Sequence, residues 1–402
     1  MVQSIDEQLD TITQDVADTY TALGAKGATL PAKKGTSNLK ATVDSLPKGG
    51  FPYTYCKVSS DGVLSLDTAN FDSDTFKGVK VIDKSVFKRL NNDLFNKDET
   101  LVFDDIIEVK DESFYVCVYT SPFNVTITPT SFKKLTTVGK SSFSQCGFTW
   151  EGNFTFDSLS SVEVQAFYEA FSKSSNANTF AFPILTSLKD GSFEKAFYNS
   201  QVKSVSFQKL RIIPSSSFSN AFLNSSLEEI NLPELESAYL SNTFNQSKLI
   251  VFNAPKVKTL YLDNTFSRSL IKDFSSDSLT YLNMQYMGRD FYECTALTTF
   301  SVPNVKKLYL HYTFYNCTSL SNIDVSGVVD FNGDSSAFYK CTALTTFSLP
   351  NATKINLTTS TFSGCTALTE IHFRADMQAT VEALSGYASK WGATNATIYF
   401  DL

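Results

Sequence analysis

The chain is predicted to be a mainly β solenoid. Two observations carry that expectation: a recurring phrase, and a period-two alternation of apolar residues inside each copy. The phrase reads Phe291-Tyr-Glu-Cys-Thr-Ala-Leu297, Phe314-Tyr-Asn-Cys-Thr-Ser-Leu320, Phe338-Tyr-Lys-Cys-Thr-Ala-Leu344 and Phe362-Ser-Gly-Cys-Thr-Ala-Leu368. Anchor phenylalanines run back through Phe266, Phe244, Phe222, Phe197 and Phe171 to Phe143, at steps of 22 to 28 residues. Self-similarity at such a period means one unit stacked many times. A single unit cannot bury its apolar set, whereas stacked units bury a continuous column.

Each unit supplies two short strands. After the anchor, apolar residues fall at Leu297, Phe300 and Val302, at Leu320, Ile323 and Val325, at Leu344, Phe347 and Leu349, and at Leu368, Ile371 and Phe373. This L-x-x-L-x-L spacing is the leucine-rich-repeat strand pattern. A proline often closes it (Pro233, Pro255, Pro303, Pro350), and a second alternating pair follows: Ala238 and Leu240, Leu260 and Leu262, Leu308 and Leu310, Ile355 and Leu357. Alternation at period two marks a half-buried strand. The 35 phenylalanines suit a ladder in which each ring stacks on its equivalent in the next coil.

The units at 337–350 and 361–373 resemble the BspA-type leucine-rich repeat of bacterial surface and phage-associated proteins, with weaker copies back to about Phe143. That resemblance implies a binding scaffold. The expected organisation is a helical oligomerisation or attachment segment with linker at 1–50, a cap or degenerate repeats at 51–142, the solenoid at 143–374 and a C-terminal cap at 375–402. In the second of these, Phe51–Cys56, Gly62–Leu66 and Phe114–Tyr119 read as strands. In the last, Ala375–Ala388 reads as a helix, followed by Trp391 and a closing strand over Ala396–Phe400.

The N-terminal segment carries its own signals. Val2, Ile5, Leu9, Ile12, Val16, Thr19 and Leu23 alternate at steps of 3 and 4, an a/d seam over about three heptads. Branched residues at both positions predict a homo-oligomer through residues 2–23, a trimer or higher state; the alternative is an amphipathic helix packed on the first coil. Residues 23–47 resemble tail-region proteins of phages and prophages from Gram-positive hosts. Met1–Tyr20 has five acidic residues, no basic one and no apolar run, unlike a signal peptide. A chain starting there is expected to bypass the usual secretion route, which suits a virion protein released by lysis.

Composition narrows the partners. A net charge of −7 without a basic stripe argues against nucleic acid. No run of eighteen apolar residues exists, so no membrane span is expected. Cys146, Cys294, Cys317, Cys341 and Cys365 all stand three residues after an anchor, a slot filled elsewhere by Ser174, Ser200, Ser225, Ser247 and Ser269. A slot taking either Cys or Ser wants a small side chain, so these read as unpaired structural thiols. A disulfide between coils and a metal site are the alternatives, although the spacing is unlike that of zinc ligands.

No phosphate-binding loop, nucleophile elbow, zinc-protease motif or dinucleotide fingerprint is found, and no cofactor is implied. His372, with Glu370 on the same strand face, reads as a solvated pair. The informative constellation lies on the second strand. Its outward positions hold Tyr239, Tyr261, Asn283, Tyr309, Asn332 and Asn356, with Asp263 and His311 two residues further on. Tyrosine and amide side chains suit interfaces with proteins and sugars; the bland alternative is a ladder that only stabilises the sheet.

The expected function is therefore non-enzymatic recognition of a cell-surface protein or glycan. The leading version is a phage or prophage tail-associated receptor-binding component in the virion. The alternatives are a BspA-like adhesin at the bacterial surface, a polysaccharide-degrading enzyme, and a purely structural spacer.

Overall fold

The computed structural model describes residues 56–58, 64–66 and 76–402, except 77, 83, 86, 89–98, 118–124, 173, 175 and 285–287. The expected N-terminal helix, its oligomeric seam and the segment 23–47 lie outside the described residues. Cys56–Val58 and Leu64–Leu66 form an antiparallel pair. All the other described pairings are parallel and join each coil to the next. The chain is thus a parallel β-solenoid, as the repeat predicts.

The period-two pattern translates directly into register. Leu260 lies opposite Ala238 and Leu282 on the second strands, and Phe300 opposite Phe274 and Ile323 on the first. In-register pairing puts every apolar position over its equivalent, so the core is one continuous column from Phe76 to Ala396.

Neither strand column is unbroken. On the first-strand side, Val251–Asn253 ends a seven-stranded sheet and Asp273–Ser275 begins a new one, which ends in turn at Asn322–Asp324, before Thr346–Leu349. On the second-strand side breaks fall between Ser161–Val162 and Ile212–Ile213 and between Tyr281–Asn283 and Lys307–His311. The breaks on the two sides fall between different coils, and a third ladder spans them. Asn242, Phe244 and Gln246 donate their N–H groups to the carbonyls of Asp263, Thr265 and Ser267 at 2.8–2.9 Å. Phe266 and Phe291 repeat the contact to Asp290 and Thr313 at 2.8 and 3.1 Å. Residues four apart, on either side of the anchor, take positive φ (48° at Asn242, 57° at Gln246). L-residues visit that region at a cost that asparagine reduces, and Asn220, Asn242 and Asn264 hold the slot two residues before the anchor.

The phenylalanine ladder is present, with one correction. From Phe171 to Phe362 each anchor ring stacks on the next, with centroids 4.8–5.5 Å apart and planes within 20°. Phe143 does not belong to that column. It stacks on Phe167 at 5.5 Å and on Phe114 at 5.2 Å. Coils around 167–222 carry two rings four residues apart (Phe167 and Phe171, Phe193 and Phe197, Phe218 and Phe222), and the ladder passes from the first column to the second there. The apparent step from Phe143 to Phe171 was a change of column.

The same geometry corrects a predicted strand. Phe114-Tyr-Val-Cys117 is a turn, with Glu112 and Val116 at φ 56° and 53°. It is a further copy of the anchor phrase, and Phe114 stacks on Phe87 at 5.1 Å. Parallel pairing accordingly reaches back to Val81–Ile82. At the other end the expected helix is short: Gln378–Glu382, preceded by a 3-10 turn at Ala375–Met377. Gly386, at φ 85°, ends this region, and Trp391 is fully buried. Thr397–Phe400 then pairs in parallel with Glu370–Phe373 as the closing strand.

All six described cysteines outside the first hairpin are free and buried. In the late coils the thiols of Cys294, Cys317, Cys341 and Cys365 lie 2.9–3.1 Å from the carbonyl oxygen of the preceding anchor phenylalanine. Burial pushes the Cys317 thiol well above its ordinary range, so it stays neutral. Ser225 and Ser247 donate instead to their own anchors at 2.8 and 2.7 Å. We predict that Cys317→Ser changes unfolding free energy by less than about 1 kcal/mol, because the hydroxyl finds the same acceptor type. A loss above about 3 kcal/mol in urea titration would refute the small-residue account.

Candidate functional site

The outward residues of the second strands form two grids, not one. Tyr239, Tyr261 and Asn283 share a row in the first sheet, and Tyr309, Asn332 and Asn356 share a row in the next. The sheet break between Asn283 and Lys307 separates them. Asp263 and His311 each lie one outward step along the strand.

Within each grid the side chains engage their neighbours. The Tyr239 and Tyr261 rings are parallel within 5° at 3.9 Å, and Tyr281 tilts against Tyr261 at 5.3 Å. The adjoining Tyr239 hydroxyl, then desolvation, push Tyr261 up to about 12. Ser241 donates to Asp263 Oδ2 at 3.0 Å. In the second grid the Tyr309 hydroxyl donates to Asp330 Oδ2 at 2.9 Å, raising the Tyr309 pKa. Asn356 Nδ2 donates to Asn332 Oδ1 at 2.9 Å, and His311 Nδ1 lies 2.9 Å from Asp334 Oδ1. These contacts make a ladder, so the residues brace the face they display. Much of the ring face of Tyr239 and Tyr261 is taken by the stack. What remains outward is ring edge and hydroxyl, with Tyr239 40% and Tyr281 46% exposed.

His311 is positioned from below by Gly288. Its φ is 67°, and a Cβ there would come within 2.2 Å of the His311 carbonyl oxygen. The bare backbone lets the two coils approach at the sheet break. Beside it, Asp290 is fully buried. Its Oδ1 accepts the Thr265 N–H at 3.2 Å, while Oδ2 has no partner among the described residues. Burial pushes this carboxyl up to about 8, with the Asp263 charge adding to the rise and the Thr265 N–H opposing it.

Sequence reasoning overlooked a second aromatic column, on the turn. Tyr292, Tyr315 and Tyr339 directly follow their anchors and stack at 4.9 and 4.6 Å, with planes within 13° and 20°. Tyr312 joins them at 6.2 Å from Tyr315, and meets His311 edge-on at 4.8 Å. The signal was in the recurring phrase itself, as the Phe-Tyr pairs at 291, 314 and 338.

Histidine–carboxylate contacts recur at the C-terminal cap. His372 Nδ1 lies 2.9 Å from Asp401 Oδ1, and its ring stacks on Tyr399 at 4.8 Å. Its Nε2 is 3.5 Å from Glu370. Among the described residues no group of three or more His, Cys, Asp or Glu is placed to hold a metal ion, and no helix is long and apolar enough to cross a membrane. The chemistry on display is hydrogen bonding by phenols, amides and a few fixed charges.

Similar solved structures include a leucine-rich repeat protein from Bacteroides ovatus, with 16% identity over 80% of this chain and 88% of that one and a TM-score of 0.48. A leucine rich cell surface protein from Faecalibacterium prausnitzii has 14% identity over 86% and 85%, with a TM-score of 0.32. A leucine-rich repeat protein from Eubacterium ventriosum has 15% identity over 86% and 93%, also with 0.32. No curated protein matches the chain. Residues 80–220, 137–272, 193–304 and 285–383 match the family model for the BspA type leucine rich repeat region, in 6 copies. The match leaves out residues 23–47, whose resemblance to phage tail-region proteins these comparisons do not support. With its matched ranges running from residue 80 to 383, the chain belongs to the BspA-type leucine-rich-repeat family.

Proposed function

We propose that the chain is a non-enzymatic recognition protein for a cell-surface ligand, acting through the exposed second-strand rows and the turn beside them. The observation that carries this reading is the braced display of Tyr239, Tyr261 and Tyr309 on strands held in register. Rigid tyrosines present ring edges and hydroxyls with little entropy left to lose on binding. Membership of a repeat family built on extended surfaces favours the same reading. A bacterial surface adhesin is the version that family membership supports. The tail-mounted version draws only on residues 1–47.

The test is binding of the labelled full chain to a panel of bacterial and animal cells. We expect saturable binding to at least one cell type. Replacing Tyr239, Tyr261 and Tyr309 together by alanine should weaken it at least about thirtyfold, since even one aromatic anchor carries about 2 kcal/mol or more at an interface. Binding unchanged in the triple variant would remove these residues from the site. A chain that binds no cell would end the recognition reading.

A further inference from the structure

The turn face around Phe291–Phe338 combines the tyrosine column with two cations that have no carboxylate partner among the described residues. The Arg289 guanidinium lies 5.5 Å from the Tyr292 ring and 5.8 Å from the Tyr312 ring. The Lys340 ammonium lies 5.3 Å from Tyr339. Both residues are exposed. At the edge of the patch Arg268 is already matched, by Glu293 at 2.8 Å, and the nearby His311 Nδ1 shares a hydrogen bond with Asp334. Arg289 and Lys340 have no such ion pair among the described residues. On a chain of net charge −7, these two cations stand on one aromatic strip. Cation–π contact orients a guanidinium while leaving its N–H fork free for a carboxylate.

The spacing selects the kind of polymer. The rings step by 4.9 and 4.6 Å, one per coil. An extended peptide repeats its side chains on one face every ~6.6–6.8 Å, out of step with that row. A pyranose chain advances one sugar ring at a time, close to one per coil. Because the tyrosine faces are occupied by each other, contact would come through ring edges and hydroxyls, which suits a ligand rich in hydroxyl groups. We propose that this turn face binds an acidic polysaccharide, with its carboxylates taken by Arg289 and Lys340 and its hydroxyls by the row Tyr292, Tyr315 and Tyr339. The inference rests on the recognition reading above and gives it a ligand class and a site.

Calorimetric titration of the full chain with polygalacturonate, alginate and hyaluronate tests it, with methyl-esterified polygalacturonate and polyglutamate as controls. At least one acidic polysaccharide should bind, more weakly as salt rises, and the esterified polymer should bind at least tenfold more weakly than its acid form. The double variant Arg289→Gln, Lys340→Gln should lose at least about tenfold in affinity for the polysaccharide that binds. Tyr315→Phe, which keeps the stack and removes one hydroxyl, should lose a smaller factor. Both variants alter exposed or half-buried groups, and their unfolding curves should match the parent. The proposal is overturned if no acidic polysaccharide binds, if the double variant binds like the parent, or if polyglutamate binds as tightly. Cell binding without polysaccharide binding would overturn this inference and leave the recognition reading standing; polysaccharide binding without cell binding would do the reverse.

Discussion

Phe314→Ala should destabilise the solenoid by about 3–5 kcal/mol, the usual cost of emptying a buried phenylalanine site. Phe314 is fully buried, stacked 5.5 Å from Phe291 and 5.3 Å from Phe338, with Phe300 edge-on at 4.8 Å. Both neighbouring coils therefore lose contact with one substitution. In a structure whose stability is a sum of unit and nearest-neighbour terms, such a loss weakens the array locally. Native-state hydrogen exchange should accelerate first between the Phe291 and Phe338 coils, while the Phe171–Phe222 coils keep their protection. Urea unfolding of the variant measures the total. A loss under about 1 kcal/mol would mean that the turn ladder, and not the ring column, holds the coils together.

Asp290→Asn should stabilise the fold at neutral and higher pH and remove part of its pH dependence. The slot holds threonine or alanine in the neighbouring coils: Thr243, Thr265, Thr313 and Ala337, all fully buried. Thr265 and Thr313 donate there to the carbonyls of Leu240 and Gly288. An ionised carboxylate offers no donor and is cut off from water, so burial raises its pKa from the ordinary 3.8 to about 8. Between those values the folded state holds a proton that the unfolded chain has released. Stability attributable to Asp290 is complete below pH 3.8, falls as pH rises through the window and levels off above about 8. The slope for one proton is at most about 1.4 kcal/mol per pH unit, so the gain for a neutral amide at pH 7 is on the order of 4 kcal/mol. The readout is the difference in unfolding free energy between variant and parent from pH 4 to 9, which should grow with pH. Taking the difference matters because Asp105, lowered chiefly by its hydrogen bond from Lys134, and Glu236, lowered chiefly by Arg211, titrate with the opposite sign at acid pH. A difference independent of pH would show that Asp290 is hydrated in solution.

How much could be read beforehand follows from where each signal resides. Leu297, Phe300 and Val302 announce a strand because alternation is a property of neighbours in the chain. The Phe143 column was misassigned because Phe167 and Phe171 both satisfy the anchor pattern, and only ring stacking separates them. Phe114-Tyr-Val-Cys117 reads as a strand by propensity, yet turns because cross-coil hydrogen bonds from Phe114 and Val116 to Ser142 and Ser144 outweigh a local preference. In the candidate site, Tyr239 and Tyr261 were found by alternation. Tyr292, Tyr315 and Tyr339 were overlooked, since a turn has no period-two rule to mark a residue as outward.

Repetition in the chain by itself determined the solenoid, its two strands per coil and the small-residue slot at Cys294 and Cys317, because stacking identical units leaves each inward position only its own equivalent as neighbour. Tertiary structure decided where the sheets break, which rings stack, and which charges are left without a partner. Asp290 and Arg289 are adjacent in sequence, yet one is sealed in the core and the other lies in the open over two tyrosines. Burial and pairing depend on groups brought together from coils more than twenty residues apart, and no local pattern encodes them.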